Sequence, residues 1–248
     1  MSAIAIRRGP WRPAIRPLAP GQAVAAIGDV HGHDDLFAAV GDAVAEDLAG
    51  AASARIVQLG DLVDRGPASL SALKRARAGL AGTPTIAVMG NHEDRMLRAI
   101  FGRDPHEREA WLGFGGVETL ASSGVDADDR DWPERFADAL GPDLIGWLAA
   151  LPRKVRLGDL LFAHAGIDPD VPLDHQSDHT LMWTRWPWLD SAGPYPEKVA
   201  VIHGHTPTIP LDLNHPHRVN LDTGAFRTGL LTGLVIFEDR MRSVQATR

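Results

Sequence analysis

The 248-residue chain predicts an α/β fold, on two observations. Between residues 24 and 100, β-branched apolar runs alternate with segments of helical periodicity. Each apolar run stops at a short motif rich in glycine and in charged or amide residues. Such alternation implies a largely parallel sheet, with functional groups gathered beyond the carboxyl ends of its strands.

The elements follow in order. Residues 24–27 read as the first strand, closed by Gly28-Asp29. Leu36, Phe37, Val40, Val44 and Leu48 recur at helical spacing and predict a helix over 35–48. A second strand spans 55–59, and Pro67 suits the first turn of a helix running to about residue 78. Residues 85–89 form the third strand and 93–100 the next helix. Over 101–150, helical patterning around Trp111-Leu112 and 136–148 is broken by glycines, prolines and the acidic stretch 126–131. A helical insertion beside the sheet is expected there. Strand signals return at 160–162, 199–202, 218–221 and 230–237, whereas 168–196, rich in Pro, Trp and Asp, reads as loop. Residues 1–20 carry Arg7, Arg8, Arg12 and Arg16 among prolines. They read as a basic N-terminal arm, either anchored by Trp11 or disordered, ahead of one α/β domain over 21–248.

Composition excludes several classes. Apolar residues make up 44% and charged residues 23%, as in ordinary globular proteins. The formal charge of −7, with no basic stripe, argues against nucleic acid as a partner. There is no cysteine, so disulfides and thiolate metal ligands are excluded, and a cytoplasmic setting is expected. No apolar run approaches the roughly 20 residues a membrane helix needs, and no signal peptide is recognisable.

The chemistry lies in motifs at strand ends: Gly28-Asp29-Val30-His31-Gly32, 60–66 (GDLVDRG), Gly90-Asn91-His92-Glu93, His164-Ala165-Gly166 and His203-Gly204-His205. Asp29 and His31, two apart, can face the same side of an extended segment. Asp61 offers a carboxylate able to bridge two ions, Asn91 a neutral carbonyl oxygen, and His164 and His205 imidazoles. Singly, each motif is an ordinary turn or cap. Jointly they point to two metal ions, and nitrogen and oxygen donors without sulfur suit Mn, Fe or Zn.

This ordered set resembles the phosphoprotein phosphatases of the calcineurin-like metallophosphoesterase superfamily, in their bacterial and phage branch typified by lambda phosphatase. The likeness spans about residues 23–237 and takes in weaker stretches at 111–116, 182–185 and 221–224. It implies two mixed β-sheets packed as a sandwich flanked by helices, which amends the parallel-sheet picture. It implies Asp29, His31 and Asp61 around one metal and Asp61, Asn91, His164 and His205 around the other, with a metal-activated water as nucleophile. His92 is implied as general acid with Asp64 as its partner, and Arg65, Asn91 and Arg185 as phosphate-binding residues. His203 is read as a supporting residue and His33 as a bystander. Trp186, Pro187 and Trp188 are either a wall beside the leaving group or ordinary packing.

The expected activity is therefore a protein serine/threonine phosphatase acting on a phosphorylated protein or peptide, with no regulatory subunit implied. The alternative is a symmetrical diadenosine tetraphosphate hydrolase, which shares the framework, and a minor one is an inactive phosphate-binding scaffold. Asp64 and Glu93 favour the phosphatase, because the hydrolases tend to carry a neutral residue and an aspartate at those positions.

Overall fold

Two facing sheets, each with strands of both directions, form the centre of the structure, a computed structural model that describes residues 3–248. The chain begins with edge strands β1 (Ala5–Arg8) and β2 (Arg12–Pro13). Three β–α units follow: β3 (Gln22–Ile27) with α1 (Asp34–Leu48), β4 (Ser53–Gln58) with α2 (Ser69–Ala78), and β5 (Thr85–Ala87) with α3 (Asn91–Phe101). The expected insertion comprises α4 (Pro105–Trp111), a widened turn at Leu112–Gly116, α5 (Val117–Ser122), α6 (Trp132–Leu140) and α7 (Pro142–Ala149). Then come β6 (Lys154–Leu157), β7 (Leu160–Ala163), α8 (Asp178–Trp183), β8 (Ala200–His203) and β9 (Arg218–Asn220). The chain closes with α9 (Ala225–Thr228) and the hairpin β10 (Leu230–Phe237) and β11 (Arg240–Thr247).

The larger sheet runs β1-β11-β10-β3-β4-β5, with β2 beside β11, and the smaller one β6-β7-β8-β9. Strands β3, β4 and β5 are parallel, as their β–α connections require, and β1, β10 and β11 add antiparallel partners. The parallel-sheet picture holds for that central part and again for β7, β8 and β9 of the smaller sheet, but not for either sheet as a whole. The sequence pattern missed β1, β2, β6 and β11, and it missed α8 inside the segment read as loop. Strands β1, β2 and β6 lie at sheet edges and have only two to four residues, too few to show an alternation, while β11, flanked by β10 and β1, mixes arginine, serine and glutamine among its apolar residues. Helix α8 has six residues, too few to show a period, and begins at Ser177, whose hydroxyl accepts the Thr180 N–H.

Val24, Val57, Leu59, Phe162, Ile202, Val219 and Ile236 fill the space between the sheets. Leu36, Phe37, Val40 and Val44 of α1 pack on the outer face of the larger sheet, together with Trp111, Trp132, Phe136 and Leu148 of the insertion. Leu161, Val201, Leu181 and the fully buried Trp188 cover the outer face of the smaller sheet. Trp188 is thus packing, while Trp186 is 66% exposed.

Pairing puts the strand ends level. Ile27 lies opposite Gln58, and Gln58 opposite Ala87, so the loops after β3, β4 and β5 emerge side by side. His203 lies opposite Asn220 in the other sheet, and the His164 ring bonds across the sandwich to the Leu59 carbonyl. Ligand-type residues from both sheets therefore converge on one edge.

Candidate metal centre and active site

The loops that carry the site are held in uncommon backbone shapes. His31, Asp61, Asp64, Arg65 and His205 all have positive φ, between 44° and 73°. Each such residue costs on the order of 1–3 kcal/mol, a strain tolerated where surrounding contacts over-determine the geometry. Gly204 is required by close approach, because a Cβ there would overlap Asp29 Oδ1.

Asp61 lies at the centre. Two groups of donor atoms, each mutually within 4.8 Å, share its carboxylate: His31, Asp61 and His92, and Asp61, His164 and His205. Asn91 Oδ1 joins the second, 2.8 Å from His164 Nε2 and 2.9 Å from His205 Nδ1. His164 Nε2 is also 3.2 Å from His205 Nδ1 and 3.3 Å from Asp61 Oδ1. Donors that crowd to such distances match the edges of a polyhedron with bonds of about 2.1 Å. His31 Nδ1 donates to the Val63 carbonyl and His164 Nδ1 to that of Leu59, which turns both Nε2 lone pairs inward. This donor set fits divalent ions.

Charge follows the same division. Burial holds His31 and His164 below the ordinary imidazole range and takes His205 down to about 2, so all three are neutral, the ligating form. Burial opposes the cationic form of His92 too, but the Asp61 and Asp64 carboxylates outweigh it and raise His92. Burial would raise Asp61, yet charge on the histidines around it, His164 and His92 foremost, draws it well below the carboxylate range whenever they are protonated. Burial, reinforced by Asp222 and Asp61, pushes Asp29 well upward.

Asp29 stands outside both donor groups. Its carboxylate accepts the backbone N–H of His205 at 3.0 Å and so ties the first motif to the last. Asp64 Oδ2 accepts from His92 Nδ1 at 2.6 Å, and the carboxylate is held in turn by Trp111 Nε1 and, at Oδ1, by the Thr119 hydroxyl. Arg65 spans His31 Nε2 and His92 Nε2 at 2.8 and 2.9 Å, over the Phe226 ring at 4.4 Å. Arg185 Nε donates to His205 Nε2 at 3.2 Å. Asp61, Arg65, Asn91, His92, Arg185 and His205 line one cavity of about 160 Å³, with Phe114 and Trp183. His203 packs beneath it against Trp188, and His33 lies 3.3 Å from Arg248, away from the donor groups.

Sequence reasoning gave no role to Asp222, Phe114 or Trp183. Asp222 is buried just after β9, and burial pushes it up to about 6. The signal that singled out Asp29 and Asp61, an acid directly after an apolar strand, was present there also. Glu93 entered the sequence reading only as a mark of the phosphatase branch, and its carboxylate accepts the N–H groups of Asp61, Leu62, Val63 and Gly90. It braces the loop, and neither it nor Asp64 lines the cavity.

A sandwich edge that brings imidazole, carboxylate and amide donors together beside guanidinium groups defines a metallophosphoesterase, a hydrolase. Residues 23–226 match the calcineurin-like phosphoesterases, and the chain belongs to that family. It is 29% identical over 184 residues to the symmetrical bis(5'-nucleosyl)-tetraphosphatase of Chromohalobacter salexigens, covering 73% of this chain and 57% of that one. The match thus spans little more than half of that relative's length. With the enzyme of the same name from Bordetella pertussis the identity is 28% over 269 residues, covering 90% of this chain and 95% of the relative. A solved structure described as a candidate diadenosine tetraphosphatase superposes with a TM-score of 0.63 at 21% identity, covering 92% and 95% of the two chains, a likeness of fold. These relatives are named for nucleotide substrates, which overturns the expectation of a phosphorylated protein or peptide partner. No helix among the described residues is long and apolar enough to cross a membrane.

Proposed function

We propose that this chain hydrolyses dinucleoside tetraphosphates symmetrically, in preference to the protein phosphatase activity first expected. The observation that most supports this is the near end-to-end match with the Bordetella pertussis enzyme. The two residues that favoured a phosphatase have other work, Glu93 in bracing the loop and Asp64 in holding His92.

Asp29, His31 and Asp61 would hold one divalent ion, and Asp61, Asn91, His164 and His205 the other, manganese suiting this donor set, with iron or zinc alternatives. When bound, such a pair lowers the pKa of a water and neutralises phosphoryl oxygens. Arg65 and Arg185 point guanidinium forks at the same space, where they bind the equatorial oxygens of the phosphoryl group under attack. Asn91 Nδ2 is free to donate to that group while its oxygen faces His164 and His205. Water adds its oxygen to the inner phosphorus and the central bridging P–O bond breaks. The leaving oxygen belongs to a nucleoside diphosphate, and His92, oriented by Asp64, hands it a proton where one is needed.

Cutting the bridge at its centre yields two identical diphosphates. Chromatography of diadenosine tetraphosphate incubated with the manganese-loaded chain should return ADP alone. AMP with ATP, or intact substrate, contradicts the proposal.

A further inference from the structure

Helix α3 carries Asn91 and His92 into the site, and Arg95 stands three residues beyond His92 and four beyond Asn91, on the same helical face. Its guanidinium carbon lies 4.6 Å from the centre of the Phe114 ring and 5.1 Å from that of Trp183. Both rings line the cavity that holds Asp61, Arg65, His92 and Arg185. The neighbouring arginine on the same helix is spoken for, Arg98 pairing with Asp94. Among the described residues, Arg95 has no hydrogen bond and no carboxylate partner, only the two aromatic faces. Stacking fixes the plane of the guanidinium while its N–H donors remain uncommitted. Part of the ordering cost of binding a planar or tetrahedral oxyanion is thereby met in advance.

We propose that Arg95 binds the phosphoryl group next to the one being cleaved, making the site selective for polyphosphate chains over single phosphates. This deepens the tetraphosphatase reading and rests on it for the natural substrate. A tetraphosphate bridge places further anionic groups on both sides of the bond that breaks. Arg65 and Arg185 serve the phosphoryl group under attack, and a third guanidinium, stacked on two of the rings that line the cavity, matches the extra charge beside it. A charge-assisted contact of this kind changes affinity by about tenfold to a hundredfold.

The test compares wild type with Arg95→Gln and Arg95→Lys, as full chains with manganese in excess. Affinities for pyrophosphate and orthophosphate are taken from competition with p-nitrophenyl phosphate and from calorimetry, and those for ADP from calorimetry. Expected is a fall of about tenfold or more in the ratio of pyrophosphate to orthophosphate affinity, and of ADP to orthophosphate affinity, in Arg95→Gln. Arg95→Lys should recover part of it. If Arg95→Gln does not fold, Arg95→Met keeps the bulk between the rings and serves instead. Unchanged ratios, including equal weakening of all ligands, overturn the proposal and leave Arg95 as a brace for Phe114 and Trp183. Failure of wild type to cleave diadenosine tetraphosphate, with the ratios still responding to Arg95, sinks the tetraphosphatase reading alone.

Discussion

Asp64 Oδ2 lies 2.6 Å from His92 Nδ1, and both side chains are buried. The pair keeps His92 oriented toward the cavity and its imidazole above the ordinary range, with burial opposing and Asp61 and Asp64 prevailing. His92→Asn should therefore depend on the leaving group. Turnover of an alkyl phosphate should fall about 100- to 10,000-fold, while nitrophenyl phosphate and dinucleoside tetraphosphate, whose leaving groups are weak bases, lose much less. Equal losses on all three would remove the acid role. Asp64→Asn should show the same ordering at smaller amplitude.

Glu93 accepts three backbone N–H groups from the loop that presents Asp61, and a fourth from Gly90 at the start of its own helix. Glu93→Ala would leave those buried donors unpaired, at about 1–3 kcal/mol each where water does not enter. Thermal or urea unfolding should report a loss of at least about 3 kcal/mol. A loss below about 1 kcal/mol would show that the loop does not depend on this carboxylate.

Asp61 is the one carboxylate common to both donor groups. Asp61→Asn should lower metal content at both positions, read by elemental analysis after dialysis against manganese. Full occupancy at either position would contradict its shared role.

Gly204→Ala places a methyl group against the Asp29 carboxylate and the loop leading to His205. Manganese affinity should fall about tenfold or more by calorimetry, since groups that orient ligands typically carry that much. Wild-type affinity in this variant would mean that Asp29 moves aside without consequence for the ions.

Much of this was legible in the sequence, and the gaps have physical causes. The β–α alternation through β5 and α3 could be read because each of those helices buries a continuous apolar face against the sheet. The pairing of two sheets could not, since β7 and β8 are buried on both faces and show the same apolar run in any architecture. Asp61, Asn91, His164 and His205 stood out because ligating side chains followed strands directly. Arg95, Phe114 and Trp183 did not, because they meet only when α3, the insertion and α8 come together at the cavity. Substrate preference could not be read from Asp64 and Glu93, whose side chains face inward, Asp64 to hold His92 and Glu93 to brace the loop at Asp61.

Anomalous diffraction from crystals grown with manganese would locate the ions. Two peaks should flank the Asp61 carboxylate, one beside Asp29 and His31, the other beside Asn91, His164 and His205. A single peak, or ions lodged away from Asp61, would contradict the paired-ion centre on which the proposed hydrolysis depends.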